Sequence, residues 1–592
     1  MPLIVQKFGG TSVADAEKIQ AAARRAIRAQ QQGNQVVVVV SAMGKQTDML
    51  VDLAGQLCDD PPAREMDMLL STGEQVSVAL MAIAIHSLGH KAVSLTGGQI
   101  GIRTDSWHTK ARIQSISTGR IRKLLDEGNI IIAAGFQGID EAFNITTLGR
   151  GGSDTTAVAL AAVLEATVCE IYTDVDGVFT TDPHLLPEAR KMNQVSHDEM
   201  LELASLGAGV MHSRSIEFGK KFNVPIHVRN SAVFNDEMGT IVGPISESAE
   251  RAVSGVALTR KEARITILGV PDQPGTSLTI FLQLSEVNLV VDMIVQNVGA
   301  DGQADISFTV LESDLNKALR AVEKAAAELG AEGITHDANV SKVSIVGLGM
   351  ATQTGVADRM FRALAEADVN IQAITTSQIK VSVLVTQEKA MEALRAVHRE
   401  FELEKPPRAR VTYSDTMTAA KRTDGITVVD RLQHMEDLTI EDVALDESQA
   451  RLTMALVPDQ PGIAARIFEA IAAEDLLVDM IVQSVGLDGY ANVSFTVPRK
   501  SVDQARVIVE KLVDELGGNM THEPEIDILS VLGIGIRSHT GVGIRTFQAL
   551  LKVGINAEMI NTSEVRLNVV VAPEKGDAGL AALKEAFRDV LG

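Results

Sequence analysis

Thr147-Leu148-Gly149-Arg150-Gly151-Gly152-Ser153-Asp154-Thr155-Thr156 is the segment that decides the fold of the N-terminal half of this chain. The apolar residues 129–138 before it predict a buried strand, and residues 153–166 predict a helix with a Ser/Asp start. Two adjacent glycines allow the backbone to approach a ligand, and the free N–H groups of a helix start favour an anion. Arg150 adds a guanidinium suited to a carboxylate or a phosphate. The segment alone is equally compatible with a glycine-rich turn that binds nothing.

Length and composition narrow the class of protein. The chain has 592 residues, 45% of them hydrophobic and 22% charged, which predicts several globular domains. We expect no membrane partner, because no apolar run approaches the roughly 18 residues of a membrane span. A net charge of −23 and 3% aromatic residues argue against nucleic acid as a partner. The chain has only two cysteines, too few for a disulfide framework. A strand is predicted so near the start that a signal peptide has no room, and we therefore expect a cytoplasmic protein.

Strands and helices alternate through the first 245 residues. Residues 2–8 predict a strand that runs into Gly9-Gly10, and residues 15–31 predict the following helix. Further strands are predicted at 35–41, 171–176 and 224–230, and a helix at 66–88. This order predicts an α/β domain with a parallel-rich sheet sandwiched by helices, whose ligands bind at the carboxyl ends of the strands.

The remainder of the chain is a tandem duplication. VPDQPG occurs at Val270 and again at Val457, and VDMIVQ at Val291 and again at Val478, both at a spacing of 187 residues. Each repeat contains two related units, and every unit follows the order strand, glycine loop, helix, two strands, helix, strand. We therefore predict four ferredoxin-like βαββαβ domains, with a polar connector between the two pairs. Their predicted bounds are 262–335, 342–404, 448–522 and 526–592, with the connector at 405–442.

Few side chains in the first domain point to chemistry by themselves. Lys7 stands at a strand end, where its ammonium would neutralise phosphate oxygens, but a strand-end lysine is more often solvated. Glu74 lies within a helix, where glutamate usually faces solvent. Turn chemistry accounts for Asp176 and Asp182, whereas Asp174 at a strand end is less easily explained. The sequence has no Walker A, HExxH, GxSxG or CxxC motif, and we predict no protein-bound metal site.

The motifs taken together resemble one family. KFGGTSV at Lys7, VVVVSAMGKQTDML at Val37, STGEQVS at Ser71, TTLGRGGSDTTA at Thr146 and YTDVDGVFTTDP at Tyr172 resemble the aspartate kinases, enzymes of the amino-acid kinase fold. The four repeated units resemble ACT domains, the ligand-sensing modules attached to these kinases. The resemblance therefore implies an amino-acid kinase fold followed by four ACT domains.

It also implies a reaction, the transfer of the ATP γ-phosphoryl group to the β-carboxylate of L-aspartate to give 4-phospho-L-aspartate. This is the first step of lysine, threonine and methionine biosynthesis, and in the lysine branch it leads into the diaminopimelate pathway. A carboxylate is already an ionised nucleophile, so alignment and charge neutralisation suffice and no general base is needed. Mg²⁺ would arrive with ATP, held mainly by the phosphates.

The resemblance assigns roles position by position. Catalysis falls to Lys7, which bridges the transferring phosphoryl group, to Asp154, which orients Lys7, and to Arg150. The implied aspartate-binding residues are Ser41, Thr47, Glu74 for the α-amino group, Arg150 for the α-carboxylate, and Ser153. The implied nucleotide-binding residues are Lys7, Phe8, Gly9, Gly10, Ser12, Thr173, Asp174, Phe179 and Asp182. The chain departs from the family at Phe179, often Tyr, at His184, often Arg, and at Gly209, often Lys.

The ACT resemblance implies inhibition by lysine, threonine or both. The effector's carboxylate would bind near Gly275 and Gly462, beside helix starts, and its ammonium near Asp292 and Asp479. The full set of implied effector residues is Asp272, Gly275, Asp292, Gln296, Ser377, Asp459, Gly462, Asp479, Gln483, Asn556, Ser563 and Glu564. The two TSQ/TSE segments differ in charge, with Gln378 in one and Glu564 in the other. A homodimer or higher homo-oligomer through the ACT domains is expected.

Two alternatives stay open at this point. A glutamate or N-acetylglutamate kinase would share the fold, although Glu74 and Arg150 favour a free α-amino acid. A non-catalytic amino-acid sensor would retain the fold without turnover. Intact Lys7, Arg150 and Asp154 argue against it, whereas the departures at His184 and Gly209 argue weakly for it.

Overall fold

The architecture was obtained from a computed structural model. It describes residues 1–207, 210–232, 238–248, 250–287, 289–298, 302–351, 353–407, 435–436, 438–485, 489–536 and 541–591. The predicted connector at 405–442 therefore lies mostly outside the described residues, as does Gly209.

The N-terminal domain is a parallel-rich sheet between layers of helices. Its strands are β1 Leu3–Phe8, β2 Gln35–Val40, β3 Ala92–Leu95, β4 Ile102–Thr104, β5 Ile113–Ile116, β6 Ile130–Ala134, β7 Gln137–Ile139, β8 Ile145–Thr147, β9 Val168–Thr173, β10 Gln194–Ser196, β11 Ile226–Asn230 and β12 Thr240–Gly243. Its helices are α1 Ala16–Gln31, α2 Gln46–Gly55, α3 Ala63–Ser87, α4 Gly97–Ile100, α5 Gly119–Asp126, α6 Gly152–Val163, α7 His197–Ser205 and α8 Ser213–Lys221.

Among the described residues, eight strands form the main sheet in the order β10-β12-β11-β9-β1-β2-β6-β3. Strand β1 pairs in parallel with β2 on one side and β9 on the other. Strand β2 consists almost entirely of valine because it is buried on both faces. Val36, Val38 and Val40 pack into the cluster that contains residues of α1 and α3, while Val37 and Val39 pack against α6. The predicted α/β sandwich is confirmed.

Two details of this domain differ from expectation. The apolar run 129–138 is not one strand: β6 belongs to the main sheet and β7 to a small sheet of order β5-β4-β7-β8. The extended conformation is interrupted between β6 and β7 at Phe136, which has a φ of 69°. Helix α3, with 25 residues, is long and apolar enough to cross a membrane by length and composition, which corrects the expectation that no apolar run approaches that length. It is mostly buried inside the domain, as expected of a core helix.

The C-terminal part forms one twelve-stranded sheet among the described residues, with helices packed on it. The first pair of units contains β13 Gly255–Pro271, α9 Thr276–Glu286, β14 Asp292–Val298, β15 Gln303–Leu311, α10 Leu315–Leu329, β16 Gly333–Val346, α11 Val356–Glu366, β17 Ala373–Ser377, β18 Lys380–Thr386 and α12 Ala390–Glu400. The second pair contains β19 Thr439–Pro458, α13 Ile463–Ala472, β20 Ile481–Val485, β21 Tyr490–Pro498, α14 Val502–Leu516, β22 Asn519–Ile534, α15 Gly541–Lys552, β23 Met559–Thr562, β24 Arg566–Val571 and α16 Gly576–Ala586.

The units within a pair are interleaved, which corrects the predicted plan of four self-contained repeats. We call the predicted ranges 262–335, 342–404, 448–522 and 526–592 units 1 to 4. Unit 2 does not supply its own last strand: residues 255–259 at the start of β13, upstream of unit 1, pair with Lys342–Val346 and complete its sheet. Residues 439–446 at the start of β19 complete unit 4 in the same way. The predicted bounds missed this because residues 255–259 precede unit 1 and residues 439–442 fall in the predicted connector.

The two pairs then join edge to edge within the chain. Strand β17 of unit 2 pairs with β20 of unit 3 through Ile374 with Gln483 and Thr375 with Val482. Strand β14 of unit 1 lies against β23 of unit 4. Units 2 and 3 therefore meet edge to edge within one chain, and strands of units 1 and 4 lie against each other in the same chain.

Helix α7 connects this sheet to the first domain. Glu202 in α7 is fully buried and lies 2.8 Å from the ammonium of Lys380, at the start of β18. Its other oxygen accepts a hydrogen bond of 3.2 Å from the backbone N–H of Glu564 in unit 4. Burial raises the pKa of Glu202, and Lys380 opposes that rise. A single carboxylate of the first domain thus contacts Lys380 of the first ACT pair and the backbone of Glu564 in the second.

Candidate active site

A cleft of about 1560 Å³ opens at the carboxyl ends of β1 and β2, beside the start of α6. Parallel sheets place their ligands at this edge because the strand ends and helix starts converge there. The structure brings nine of the predicted site residues to its walls: Lys7, Gly9, Gly10, Ser41, Thr47, Glu74, Arg150, Ser153 and Asp154.

The ammonium of Lys7 is held by a carboxylate. Lys7 Nζ lies 2.5 Å from Asp154 Oδ1, and both residues are buried. Lys7 comes from the end of β1 and Asp154 from the first turn of α6, so two secondary-structure elements fix the pair. Gly9 follows directly, and a Cβ there would stand 3.5 Å from Lys7 Nζ. The ammonium of Lys7 therefore lies beside the Gly9-Gly10 turn rather than in bulk solvent.

The turn before α6 requires glycine. Gly149 and Gly151 have φ angles of 76° and 70°, in the left-handed region that glycine adopts without steric cost. A Cβ on Gly151 would lie 2.2 Å from the Cβ of His212, so no other residue fits. The turn carries the exposed Arg150 and leads into the start of α6, which borders the cleft and attracts negative charge. An anionic group would find both a cation and backbone donors there.

Glu74 is the least solvated carboxylate of the cleft wall. It is 3% exposed and accepts a hydrogen bond of 3.0 Å from the backbone N–H of Ala42 through Oε1. Its Oε2 is buried without a partner among the described residues. Burial raises the pKa of Glu74 to about 7. A buried carboxylate with a vacant oxygen is suited to an ammonium group, which would supply the missing partner.

A buried aspartate, Asp67, which the sequence analysis did not identify, holds two of the threonines that line the cleft. Asp67 in α3 is fully buried and accepts hydrogen bonds from Thr147 Oγ1 at 2.5 Å and from the Thr109 backbone N–H at 3.0 Å. It also lies 2.6 Å from His108 Nδ1. Asp67 therefore fixes Thr109 and Thr147, which both line the cleft. An aspartate within a helix carries no sequence signal for this role.

Arg214 in α8 was also missed, and it joins the glycine turn to the connector between the ACT pairs. It donates to the carbonyl oxygens of Leu148 and Ala111. Its guanidinium forms hydrogen bonds of 2.7 to 3.1 Å with Glu436. Glu436 also accepts a 2.6 Å hydrogen bond from the backbone N–H of Ile113, and its neighbour Met435 is 1% exposed. These two connector residues thus pack into the cleft wall.

The residues predicted to bind the nucleotide are not all brought to the cleft. The Phe8 side chain is buried and stacks on Tyr172, so only its backbone faces the glycine turn. Ser12 Oγ donates to the Tyr172 carbonyl oxygen. Thr173 and Asp174 lie at the end of β9, next to Gly9, whose N–H donates to Tyr172. Within the described part of the chain, the cleft lining includes none of Thr173, Asp174, Phe179 and Asp182.

Two departures from the family pattern, Phe179 and His184, lie outside the cleft lining. Phe179 forms an isolated bridge with Lys191. His184 is exposed, and its side chain lies 3.2 Å from Asp182 Oδ1, which also accepts from the His184 backbone N–H. The carboxylate of Asp182 therefore stabilises the turn in which it lies, as turn chemistry predicts.

The predicted effector residues form two equivalent clusters at contacts between ACT units. Asp272 of unit 1 accepts hydrogen bonds from Gln296 at 3.3 Å and from Asn556 of unit 4 at 2.8 Å. Asp459 of unit 3 accepts from Asn370 of unit 2 at 2.9 Å, and Gln483 donates to Ile371 at 2.8 Å. Gly275 and Gly462 precede α9 and α13 with φ angles of 100° and 90°. The duplication therefore created two sites of the same plan.

Asp292 requires a correction. We expected it to face an effector ammonium, but its carboxylate lies 2.5 Å from the buried ammonium of Lys342, which is also 2.8 Å from Glu262. Its counterpart Asp479 is exposed at a cleft between units 2 and 3 that Ser377 also lines. Ser563 lines the equivalent cleft between units 1 and 4, while the backbone N–H of Glu564 donates to Glu202.

The main cleft can bind an anion and an ammonium close together. Lys7, Arg150 and the start of α6 provide positive charge, and Glu74 provides the carboxylate. Among the described residues no group of three or more His, Cys, Asp or Glu side chains would hold a metal ion. Transfer of an anionic group to a substrate that carries its own ammonium fits this set of residues.

Comparison with known proteins identifies the family. The model of the amino acid kinase family matches residues 2–230, and the model of the ACT domain matches residues 265–326, 343–401, 455–512 and 529–587. The aspartate kinase of Stutzerimonas stutzeri is 50% identical over 408 residues, which are 69% of this chain and 98% of that protein.

Solved structures agree with this assignment. The crystal structure of aspartate kinase from Synechocystis is 40% identical with a TM-score of 0.52, and the match covers 99% of this chain and 98% of that one. Escherichia coli aspartokinase III, solved with aspartate and ADP and also with lysine and aspartate, shares the fold at 23% identity, with TM-scores of 0.58 and 0.54. These matches cover 67% of this chain and 99% of that protein. The chain therefore belongs to the aspartate kinases, with an amino-acid kinase domain followed by ACT domains.

Proposed function

We propose that this aspartate kinase transfers the γ-phosphoryl group of ATP to the β-carboxylate of L-aspartate, with Lys7 as the bridging cation. The observation that carries the proposal is the placement of the buried Lys7–Asp154 pair and the half-partnered Glu74 on the walls of one cleft. Lys7 would neutralise charge on the transferring group, and Asp154 would hold its ammonium in place.

Aspartate recognition follows from the other charges. The vacant oxygen of Glu74 would accept the α-ammonium, and Arg150 the α-carboxylate, which leaves the β-carboxylate free to attack. Ser41, Thr47 and Ser153 would provide neutral hydrogen bonds nearby. Gly9, Gly10 and the start of α6 would surround the phosphates with backbone N–H groups, and Mg²⁺ would be held by the phosphates themselves. No general base is required, because the nucleophile is ionised at neutral pH.

The decisive experiment is ADP release by the full chain with L-aspartate, L-glutamate or N-acetyl-L-aspartate as acceptor. We expect turnover with L-aspartate and at least about 100-fold lower kcat/KM with N-acetyl-L-aspartate, because acetylation removes the charge that Glu74 binds and leaves a buried group unpaired. Faster turnover with L-glutamate would reassign the substrate. ATP binding without turnover of any acceptor would favour the non-catalytic sensor.

We further infer feedback inhibition by lysine, threonine or both through the two ACT clusters, in a cytoplasmic enzyme of lysine, threonine and methionine biosynthesis. The support is the pair of equivalent hydrogen-bonded clusters at Asp272 and Asp459, together with the lysine complex of the E. coli fold relative. The homo-oligomer expected from the sequence stays a prediction. Sedimentation of the full chain tests it.

A further inference from the structure

A hairpin follows the end of β9, at residues 178–192. The Met192 N–H donates to the Val178 carbonyl oxygen at 2.8 Å, which joins its two arms. The hairpin contains Phe179 and Asp182, two of the residues implied to bind the nucleotide, and we call it the nucleotide hairpin. What holds this hairpin in place therefore bears on how ATP is bound, although none of it lines the main cleft in the described part of the chain.

Thr180 lies at the base of the nucleotide hairpin and is fully buried. Inside the hairpin, its backbone N–H donates to the Arg190 carbonyl oxygen at 2.9 Å, and its Oγ1 accepts from the Arg190 N–H at 3.0 Å. ACT unit 2 supplies the other partners. The Thr180 carbonyl oxygen accepts a 2.7 Å hydrogen bond from the Val256 N–H, in the part of β13 that completes unit 2. Thr180 Oγ1 also lies 3.1 Å from His398 Nε2 in α12, so unit 2 bonds to both the backbone and the side chain of this residue.

His398 is suited to this contact because it is buried and neutral. It is 3% exposed, and burial lowers its pKa against the effect of Glu404 and Glu188. A neutral imidazole nitrogen forms a hydrogen bond with a hydroxyl as donor or as acceptor, so Thr180 Oγ1 keeps the Arg190 N–H as well. Loss of the imidazole would remove the side-chain bond between unit 2 and the hairpin and leave a void beside Thr180.

Unit 2 also packs closely against the nucleotide hairpin. A Cβ on Gly255, the residue before Val256, would stand 3.1 Å from the Thr180 carbonyl oxygen. Leu185, in the turn of the hairpin, packs against the hydrophobic cluster to which Val397 of α12 belongs. Unit 2 therefore holds the hairpin at its base and at its turn.

The duplication shows that an ACT unit does not itself require a buried histidine at this position. Helices α12 and α16 begin at residues 390 and 576, a shift of 186 residues, which places Lys584 of unit 4 where unit 2 has His398. Lys584 is exposed to solvent. The buried histidine is therefore explained by its contact with the hairpin rather than by the fold of the unit.

We propose that His398 of ACT unit 2 is a positioning residue for the nucleotide, which through Thr180 fixes the hairpin that carries Phe179 and Asp182. Affinity for ATP would then depend on a side chain outside the kinase domain. The proposal rests on the proposed function, because it takes the hairpin to contact the nucleotide. Glu74 and Arg150, which the proposed function assigns to aspartate, lie in the main cleft, so the loss of His398 should change nucleotide binding and spare aspartate binding.

The test compares nucleotide and aspartate affinities in variants of the full chain. The Kd of ADP with Mg²⁺ is measured by titration calorimetry, and the KM values of ATP and L-aspartate by ADP release. We expect His398→Ala to raise the Kd of ADP and the KM of ATP about 5- to 10-fold, because one buried hydrogen bond is lost, and to leave the KM of L-aspartate unchanged. His398→Gln, whose side-chain nitrogen can replace Nε2, should recover most of the affinity. Lys584→Ala is the matched control and should change neither affinity.

Three results would overturn the proposal: an unchanged Kd of ADP in His398→Ala, an equal rise in the KM of L-aspartate, or no recovery in His398→Gln. The second and third would show a general loss of structure rather than positioning. Turnover of the wild-type chain with L-aspartate tests the proposed function separately, since ADP binding requires no acceptor. Normal ADP binding without turnover would refute the reaction and leave the effect of His398 on the nucleotide measurable.

Discussion

Replacing Glu74 by Gln separates the stability of the fold from the affinity for aspartate. Burial raises the pKa of Glu74 from 4.5 to about 7 in the folded chain. A shift of that size corresponds to about 3 kcal/mol by which the fold disfavours the charged carboxylate. Because the folded pKa lies above the unfolded value, this carboxylate lowers the free energy of unfolding as pH rises from about 4.5 to about 7. Gln removes that cost and retains an oxygen for the Ala42 N–H.

The same substitution removes the partner of the substrate's ammonium. We expect Glu74→Gln to raise the KM for aspartate roughly 100-fold, the equivalent of about 3 kcal/mol. In the wild-type enzyme the KM should rise as pH falls below about 7, because protonated Glu74 no longer attracts an ammonium. The variant should lose this pH dependence, and its kinase domain should unfold at a temperature roughly 5 to 10 °C higher at neutral pH.

The assay is steady-state ADP release between about pH 6 and about pH 8, a range in which the ionisation of free aspartate does not change. Thermal unfolding without ligand is measured in parallel. Glu65→Gln, on the exposed first turn of the same helix, is the control and should change neither quantity. An unchanged KM with an unchanged pH profile in Glu74→Gln would refute the assignment of Glu74 to the ammonium.

Four further substitutions test the rest of the cleft. Lys7→Ala should lower kcat about 100-fold or more. The control is Lys18→Ala, at an exposed position, which should leave kcat unchanged. Near-normal turnover of Lys7→Ala would show that Lys7 does not take part in the mechanism. Arg150→Ala should chiefly raise the KM for aspartate, and an unchanged KM would contradict its contact with the α-carboxylate. Glu436→Gln should lower kcat/KM by roughly 10-fold, and combining it with Arg214→Ala should add little, since both act through one contact. Fully additive losses would contradict that coupling.

The elements of the first domain could be predicted because their patterns are local. The valine run of β2 is buried on both faces, and the start of α6 follows adjacent glycines, so both follow from sequence alone. The meeting of Lys7 with Asp154 was implied by the family resemblance, and the structure brings the two side chains together at the carboxyl edge of the sheet.

Other features depend on distant residues and left no local signal. Glu436 meets Arg214 although 222 residues separate them, and neither lies in a recognisable motif. Asp292 and Asp479 stand in identical VDMIVQ segments, but Asp292 is paired with Lys342, 50 residues away, and Asp479 has no such partner among the described lysines. Sequence identity between repeats is therefore a poor guide to whether both copies bind the same ligand.

Strands β13 and β19 each run through two units, finishing one sheet and beginning another. If the two units of a pair were separated, the second unit would lack one strand of its sheet and expose an unpaired strand edge. The first unit would keep the start of a strand that has no partner, so neither unit would form a complete domain. The pair is the smallest part that can be copied, lost or transplanted intact. Chains of this family would then lengthen in steps of two ACT domains, as the 187-residue spacing from Val270 to Val457 records.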